Sequence, residues 1–218
     1  MKLKDKVIVV TGGASSIGFA LCQRFVREKA KVVISDKDTI MAIEKAGEIG
    51  AIAIPADVCQ EKEIKNLINV TNDLHGRIDM FVSSVRLKEK GGEETTARKW
   101  KQSFDINLMA HVYAAKFVLP QMLERGNGYL LNVISPLDFQ SASFTASEYA
   151  AIGFSEWLAA KYAEFGVKVS VLCPPPLAKI NLNEYEKITE IAIQAITENR
   201  FLISTNHENL HFFNSNNY

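Results

Sequence analysis

A glycine-rich turn follows the first apolar run of the chain. The run, residues 7–10, leads into the sequence T-G-G-A-S-S-I-G at residues 11–18, after which apolar side chains recur at helical spacing. In a strand–turn–helix of this kind, one glycine makes the bend, a later glycine lets the helix pack closely, and the helix N-terminus attracts phosphate oxygens. The pattern predicts a phosphate site formed by Gly12, Ser15, Ser16, Ile17 and Gly18. The alternative is a strand-to-helix turn that binds no ligand.

An acidic residue ends the second predicted strand. Asp36 follows residues 32–35, a short run rich in β-branched side chains. A carboxylate at this place accepts hydrogen bonds from both hydroxyls of an adenosine ribose and repels a 2′-phosphate, so it favours NAD over NADP. The alternative is an acid near a helix N-terminus, beside Asp38, where the helix dipole stabilises it.

The composition is that of an ordinary soluble globular protein. Of the 218 residues, 47% are hydrophobic and 23% charged, and the formal net charge is zero, which argues against a nucleic-acid or anionic-membrane partner. The apolar run at residues 7–10 is too short for a signal-peptide core or a membrane span, so we expect a cytoplasmic protein. The cysteines, Cys22, Cys59 and Cys173, are odd in number and far apart, so we expect reduced thiols and no metal site.

Short β-rich runs alternate with helical patterns along the chain. Strands are predicted at residues 6–10, 32–35, 51–56, 78–84, 128–135, 168–173 and 201–204. Helices are predicted after the glycine turn and at residues 38–49, 61–74, 96–124, 143–165 and 185–197. The fold class is therefore α/β, a single doubly wound Rossmann-type domain over residues 1–218 with a parallel sheet of about seven strands flanked by helices. The asparagine-rich tail, residues 206–218, is predicted to be partly disordered.

These features together resemble the short-chain dehydrogenase/reductase family, from residue 6 to about residue 213. The glycine turn resembles the family's TGxxxGxG motif, and later matches fall in the long fourth helix, at the end of the fifth strand and in the helix that follows: Trp100, Phe104, Asn107, Pro120, Met122, residues 132–135, Ala146, Ser147, Gly153 and Phe154. The resemblance implies an NAD(P)-dependent oxidoreductase. It also implies that Asp57, with Val58, contacts the adenine ring, although Asp57 is equally suited to cap a helix.

The same resemblance places the family's catalytic positions in this sequence. Ser135 and Asn107 stand at the serine and asparagine positions, whereas Phe144 replaces the tyrosine that moves the proton and Glu148 replaces the lysine. Phenylalanine has no proton to transfer, and glutamate cannot lower the tyrosine pKa from about 10 as a cation does. Ser135 and Asn107 are then better explained as a strand-end hydroxyl and a helix-distorting amide. Restoring the chemistry would need Phe144→Tyr together with Glu148→Lys.

Other family motifs depart from the pattern in the same region. The Asn-Asn-Ala-Gly after strand four reads S-S-V-R at residues 83–86, and the Pro-Gly after strand six reads P-P-P at residues 174–176, so Pro175 offers no backbone donor to nicotinamide. Only a short stretch, residues 177–184, stands where the family has a substrate-covering segment. The mixed charges of residues 86–101 predict a solvated loop and helix start.

Three functions remain open on this basis. The leading hypothesis is a divergent family member, a pseudoenzyme with a partial NAD site and little or no hydride transfer. The second is an active NAD-dependent oxidoreductase with a relocated acid/base such as Tyr149, which lies about 100° around the helix from Glu148. The third is a non-enzymatic interaction module. The resemblance further implies a homodimer or homotetramer built on the helices at residues 96–124 and 143–165, with no nucleic-acid or membrane partner.

Overall fold

The computed structural model describes residues 1–87, 90–135, 141–175 and 182–205. Within these residues one sheet has the strand order β3-β2-β1-β4-β5-β6-β7, and every neighbouring pair is parallel. The strands are β1 (Val7–Thr11), β2 (Lys31–Ser35), β3 (Ile52–Ala53), β4 (Met80–Ser83), β5 (Gly128–Val133), β6 (Val167–Cys173) and β7 (Leu202–Ser204). The predicted fold class, a doubly wound Rossmann-type α/β domain, is confirmed.

Helices cover both faces of the sheet. They are α1 (Ser16–Arg27), α2 (Thr39–Ile49), α3 (Glu61–His75), α4 (Ala97–Phe104), α5 (Ala110–Glu124), α6 (Ala142–Tyr162) and α7 (Leu182–Glu198). Apolar side chains of α1, α2 and α7 form one core with the sheet, and those of α3, α5 and α6 form a second core on the other face. The central strands β1, β4 and β5 are buried along their whole length, as a sheet covered on both faces requires.

Two predicted elements differ from the structure in instructive ways. The long helix predicted at residues 96–124 is divided by a π-helical segment at Asp105–Met109, which joins α4 to α5. The third strand, predicted at residues 51–56, is only two residues long and lies at the edge of the sheet. Hydrogen bonds on the β2 side nevertheless continue to either side of Pro55, from the Ile54 N–H to the Ile34 carbonyl (2.9 Å) and from the Ala56 N–H to the Asp36 carbonyl (3.2 Å).

Some sequence predictions are not tested by this architecture. The tail at residues 206–218 lies outside the described residues. The single domain over residues 1–218, the homo-oligomer and the cytoplasmic location stay predictions. No helix in the described ranges is long and apolar enough to cross a lipid bilayer.

The topology places a crevice at one end of the sheet. The chain moves outward from β1 through β2 to β3, then returns to the other side of β1 to form β4. In such a sheet the connections at the carboxyl ends of β1 and β4 diverge to opposite faces, and the gap between them is where ligands bind in doubly wound folds. The glycine turn follows β1 and therefore lines this gap.

Two helical glycines provide a matched test of close packing at the turn. A Cβ atom at Gly18 would lie 2.1 Å from the carbonyl oxygen of Gly12, whereas a Cβ atom at Gly47 would meet nothing within 4 Å. Gly18→Ala should lower the free energy of unfolding by about 2 kcal/mol or more because the clash involves backbone. Gly47→Ala should raise it by about 0.5–1 kcal/mol because alanine restricts the unfolded chain and favours the helix. Urea denaturation measures both, and a Gly18→Ala variant as stable as the wild type would contradict the packing role.

Candidate active site and nucleotide groove

The glycine turn has the backbone geometry that the sequence predicts. Gly12 has φ +64°, a conformation that favours glycine, and a Cβ atom there would lie 3.1 Å from the carbonyl of Ser84. Gly18 lets α1 approach the turn, since the Gly12 carbonyl occupies the space of its missing side chain. The two glycines thus bring the first turn of α1 directly against the end of β1.

The N-terminus of α1 faces the crevice as an electropositive helix end. Ser15 is the N-cap residue, but its hydroxyl donates to the Gly12 carbonyl oxygen (2.6 Å) and does not cap the helix. The first turn of α1 carries no acidic residue. Ser16 is exposed and lines the crevice, so its hydroxyl and the first N–H groups of the helix are directed to the same space. This arrangement suits the binding of phosphate oxygens.

A cavity of about 390 Å³ lies along the carboxyl ends of β1 to β4. Eight residues were predicted to bind a cofactor, and seven of them line this cavity: Gly12, Ser15, Ser16, Ile17, Asp36, Asp57 and Val58. The eighth, Gly18, lies behind the turn. The sequence did not predict several other lining residues: Lys37, Cys59, Leu87, Gln102, Asp105 and Ile106. The last three come from α4 and the π segment, whose approach to the crevice depends on tertiary packing.

Two carboxylates stand at the far side of this cavity. Asp36 follows β2, and its Oδ1 accepts a hydrogen bond from the N–H of Asp38 (3.2 Å). Asp38, not Asp36, caps α2, because its Oδ1 accepts from the N–H of Met41 (3.0 Å). Asp57 accepts from the N–H of Cys59 (2.9 Å), and the N-cap residue of α3 is Gln60, so Asp57 is not the cap of that helix. Both carboxylates line the cavity, and neither is the N-cap of the helix that follows it.

Three of the four residues that the sequence resemblance assigned to catalytic positions, Ser135, Phe144 and Glu148, lie at the end of β5 and on α6. Ser135 follows β5, and its backbone N–H donates to Oε2 of Glu148, which reaches across from α6. Glu148 is 1% exposed and Phe144, one turn earlier on α6, is 2% exposed. The structure therefore brings Ser135 and Glu148 into direct contact. It also buries the phenyl ring of Phe144, which carries no hydroxyl group.

Arg86 joins this group from the loop after β4. Its Nη1 donates to the hydroxyl of Ser135, and the side chain is half-buried, so the prediction of a solvated loop beginning at residue 86 is wrong for this residue. Burial raises the pKa of Glu148 from its ordinary 4.5 to about 7, while the Arg86 guanidinium and the Ser135 N–H act in the opposite direction. Arg86 is thus the counter-charge of Glu148. The sequence held one signal for this pairing. Arg86 replaces a glycine of the family motif after strand four, and Glu148 replaces the lysine, so the two charges change together.

Asn107 holds the neighbouring loop in place. It lies in the π segment and is fully buried. Its Oδ1 accepts from the N–H of Leu87 (2.8 Å), and its Nδ2 donates to the Leu87 carbonyl (3.2 Å) and to the Ser147 hydroxyl (2.9 Å). These contacts fix the loop that carries Arg86 against α6.

Other candidate positions contribute less to the site. Tyr149 is half-buried beside Glu148, and Pro175 is half-buried after β6. The short stretch at residues 177–184, which stands where the family has a substrate-covering segment, lies mostly outside the described residues. In the part of the chain that the structure describes, no three His, Cys, Asp or Glu side chains gather as metal ligands would.

A family model described as short chain dehydrogenase matches residues 6–189. The chain belongs to the short-chain dehydrogenase family. Among curated relatives, the chain is 34% identical over 187 residues to 1-deoxy-11-beta-hydroxypentalenate dehydrogenase of Streptomyces exfoliatus, a match that covers 80% of this chain and 68% of that protein. It is also 29% identical over 180 residues to an uncharacterized oxidoreductase of Staphylococcus aureus (strain MRSA252), which covers 79% of this chain and 78% of that one.

Solved structures share the fold of this short-chain dehydrogenase at lower sequence identity. A short chain dehydrogenase/reductase from Burkholderia phymatum, in complex with NAD, superposes with a TM-score of 0.88 at 22% identity, covering 97% of this chain and 92% of that chain. A short-chain dehydrogenase from Streptomyces avermitilis superposes with a TM-score of 0.89 at 22% identity, with the same coverage of 97% and 92%.

The raised pKa of Glu148 gives a pH dependence of stability that one variant isolates. The folded protein holds this proton more tightly than the unfolded chain, so the stabilisation is complete below pH 4.5 and is lost as the pH rises to about 7. Glu148→Gln carries no such titration. The free energy of unfolding of Glu148→Gln relative to the wild type should therefore increase by about 3 kcal/mol between pH 4.5 and pH 7.5.

The comparison removes the effects of other groups that titrate in this range. Burial lowers the pKa of His111 to about 4, so His111 alone makes stability rise with pH, but it does so equally in both proteins. Among the described residues, Arg86 and Cys173 interact electrostatically with Glu148, and both are present in the wild type and in Glu148→Gln. Glu164→Gln, at an exposed position beyond the same helix, is the control. Urea denaturation at a series of pH values measures the difference in the free energy of unfolding between Glu148→Gln and the wild type. A difference that does not change with pH would contradict the raised pKa of Glu148.

Proposed function

We propose that this member of the short-chain dehydrogenase family binds an adenine nucleotide of the NAD type and does not transfer hydride by the family's tyrosine route. The observation that carries the proposal is the contact of Arg86, Ser135 and Glu148, together with the burial of Phe144 one turn before Glu148 on α6. This group occupies the acid/base end of the crevice, while the other end keeps the features that suit a nucleotide.

The nucleotide-binding half of the proposal rests on three features of the groove. The exposed helix end of α1 suits phosphates, Asp36 suits the hydroxyls of an adenosine ribose, and Asp57 with Val58 lines the place of the adenine ring. The similar structure from Burkholderia phymatum was solved with NAD, which supports the same class of ligand here. When bound, such a cofactor supplies the hydride chemistry, and this chain's residues hold its phosphates and ribose.

The catalytic half of the proposal rests on the chemistry of the side chains that are present. A general acid/base must reach the reacting oxygen with a proton of suitable pKa. Phe144 has no such proton, and the Ser135 hydroxyl accepts a hydrogen bond from Arg86, which opposes its use as a proton acceptor. Glu148 has a pKa of about 7, but it is buried and bound to the Ser135 backbone. The active alternative requires Tyr149 or Ser135 to act instead.

Calorimetric titration of the full chain with NADH and NADPH tests the ligand. We expect NADH to bind at least about tenfold more tightly than NADPH, because Asp36 would face the 2′-phosphate with like charge. Asp36→Asn should reduce this preference to about threefold or less. Asp38→Asn is the matched control, since Asp38 caps α2 and does not line the cavity. Equal or tighter binding of NADPH by the wild type at moderate salt would contradict the assignment.

Oxidation of NADH with reactive diketones tests the chemistry. We expect no turnover by the wild type or by Phe144→Tyr. Glu148→Lys places an ammonium group against the Arg86 guanidinium, so Phe144→Tyr/Glu148→Lys should be destabilised rather than active. The first variant expected to turn over adds Arg86→Gly to these two changes. Its activity should stay at least about 100-fold below that of an ordinary family enzyme, because Pro175 leaves the nicotinamide poorly positioned.

Two further variants separate the proposal from the active alternative. Wild-type turnover that is lost in Ser135→Ala or Tyr149→Phe would show that the protein is an enzyme with a relocated acid/base. Turnover that survives both changes would show a different chemistry at the site. Either result overturns the catalytic half of the proposal and leaves the nucleotide groove intact.

A further inference from the structure

Arg86 spans the two halves of the crevice. A dinucleotide in a doubly wound fold lies across the switch point, with one nucleoside over the strands on each side of it. Arg86 begins after β4, and its Nη1 donates to the hydroxyl of Ser135 after β5. Glu148 then closes the group from α6 through the backbone N–H of Ser135. Side chains from three elements therefore meet over the second half of the crevice, at the ends of β4 and β5.

We infer that the groove takes a nucleoside diphosphate, ADP or the ADP half of a larger nucleotide, and that Arg86 closes the place of the second nucleoside. The inference rests on the proposed function for its adenosine half and goes beyond it by limiting the ligand to that half. A complete dinucleotide then gains no contacts from its nicotinamide riboside.

The lining of the cavity agrees with this limit. Its described lining residues come from the turn after β1, the ends of β2, β3 and β4, and the α4–π region, with Arg86 among them. Asp36 and Asp57 lie in this lining at the ends of β2 and β3, whereas Ser135 and Glu148, across the contact that Arg86 makes, are not part of it. The volume, about 390 Å³, is near the lower end of the range for small-molecule sites.

The order of charges along one side of the cavity suits a diphosphate, while the lining also carries Lys37, Asp57 and Asp105. A carboxylate, Asp36, stands where an adenosine ribose would bind, the positive end of α1 stands where its phosphates would lie, and a guanidinium follows. A terminal phosphate carries more negative charge than the internal phosphate of a dinucleotide. A guanidinium has five N–H donors and binds phosphate oxygens in pairs, so Arg86 can contact a phosphate while it contacts Ser135.

Moving Arg86 aside would be costly for a dinucleotide. Its guanidinium is the cation that opposes the burial of the Glu148 charge. If Arg86 left, Glu148, which is 1% exposed, would lose the cation that lowers its pKa and would have to take up a proton. ADP binds without this displacement, so the contact selects the shorter ligand.

Calorimetric titration of the wild type with ADP, ADP-ribose and NADH tests the inference directly. We expect the dissociation constant of ADP to be no more than about threefold higher than that of NADH. The double variant Arg86→Gly/Glu148→Gln removes both charges together, so no buried charge is left alone. In this variant NADH should gain at least about tenfold relative to ADP. Arg98→Gln, an exposed position on α4, is the control and should leave the ratio unchanged.

The outcomes separate this inference from the proposed function. If the wild type binds NADH about tenfold more tightly than ADP, the inference is overturned and the proposed nucleotide site stands. If neither ligand binds, the proposed function fails, and the inference fails with it. An unchanged ratio of the two affinities in the folded double variant would show that Arg86 does not close the second half. The wild-type ratio decides the question even if the double variant does not fold.

Discussion

A carboxylate buried where three elements meet is the constraint on which this site depends. Glu148 reaches from α6 to the backbone N–H of Ser135 at the end of β5. Its charge would be expensive to bury alone, and the Arg86 guanidinium offsets that cost from the loop after β4. Because the same guanidinium contacts the Ser135 hydroxyl, the positions of a loop, a strand end and a helix are coupled at one point.

The polar groups around this point connect the helices to the sheet. Asn107 links the loop after β4 to α6 through Leu87 and Ser147. Further along the sheet, His111 on α5 is hydrogen-bonded to Asn132 on β5, which donates to Ser155 on α6. Burial keeps the imidazole neutral above a pKa of about 4, so it acts as a fixed hydrogen-bonding group. These buried contacts fix the helices and the sheet around the crevice relative to one another.

The sequence predicted those features whose causes are local. Alternating apolar runs and helical patterns predicted the strands and their order of appearance, and the glycines predicted the turn because a positive φ and a missing Cβ are properties of single residues. The pairing of Arg86 with Glu148 was missed because it depends on β4 and β5 lying side by side. The π segment was missed because a single π turn within a longer helix has no residue pattern of its own.

The charge-reversed pair makes residues 86 and 148 dependent on each other. The family motifs that this sequence resembles have a glycine and a lysine at these positions. A lysine at residue 148 would stand against the Arg86 guanidinium, and a glutamate without Arg86 would lose the cation that lowers its pKa. A single substitution at either position therefore disturbs the buried contact, whereas removing both charges together leaves no charge alone.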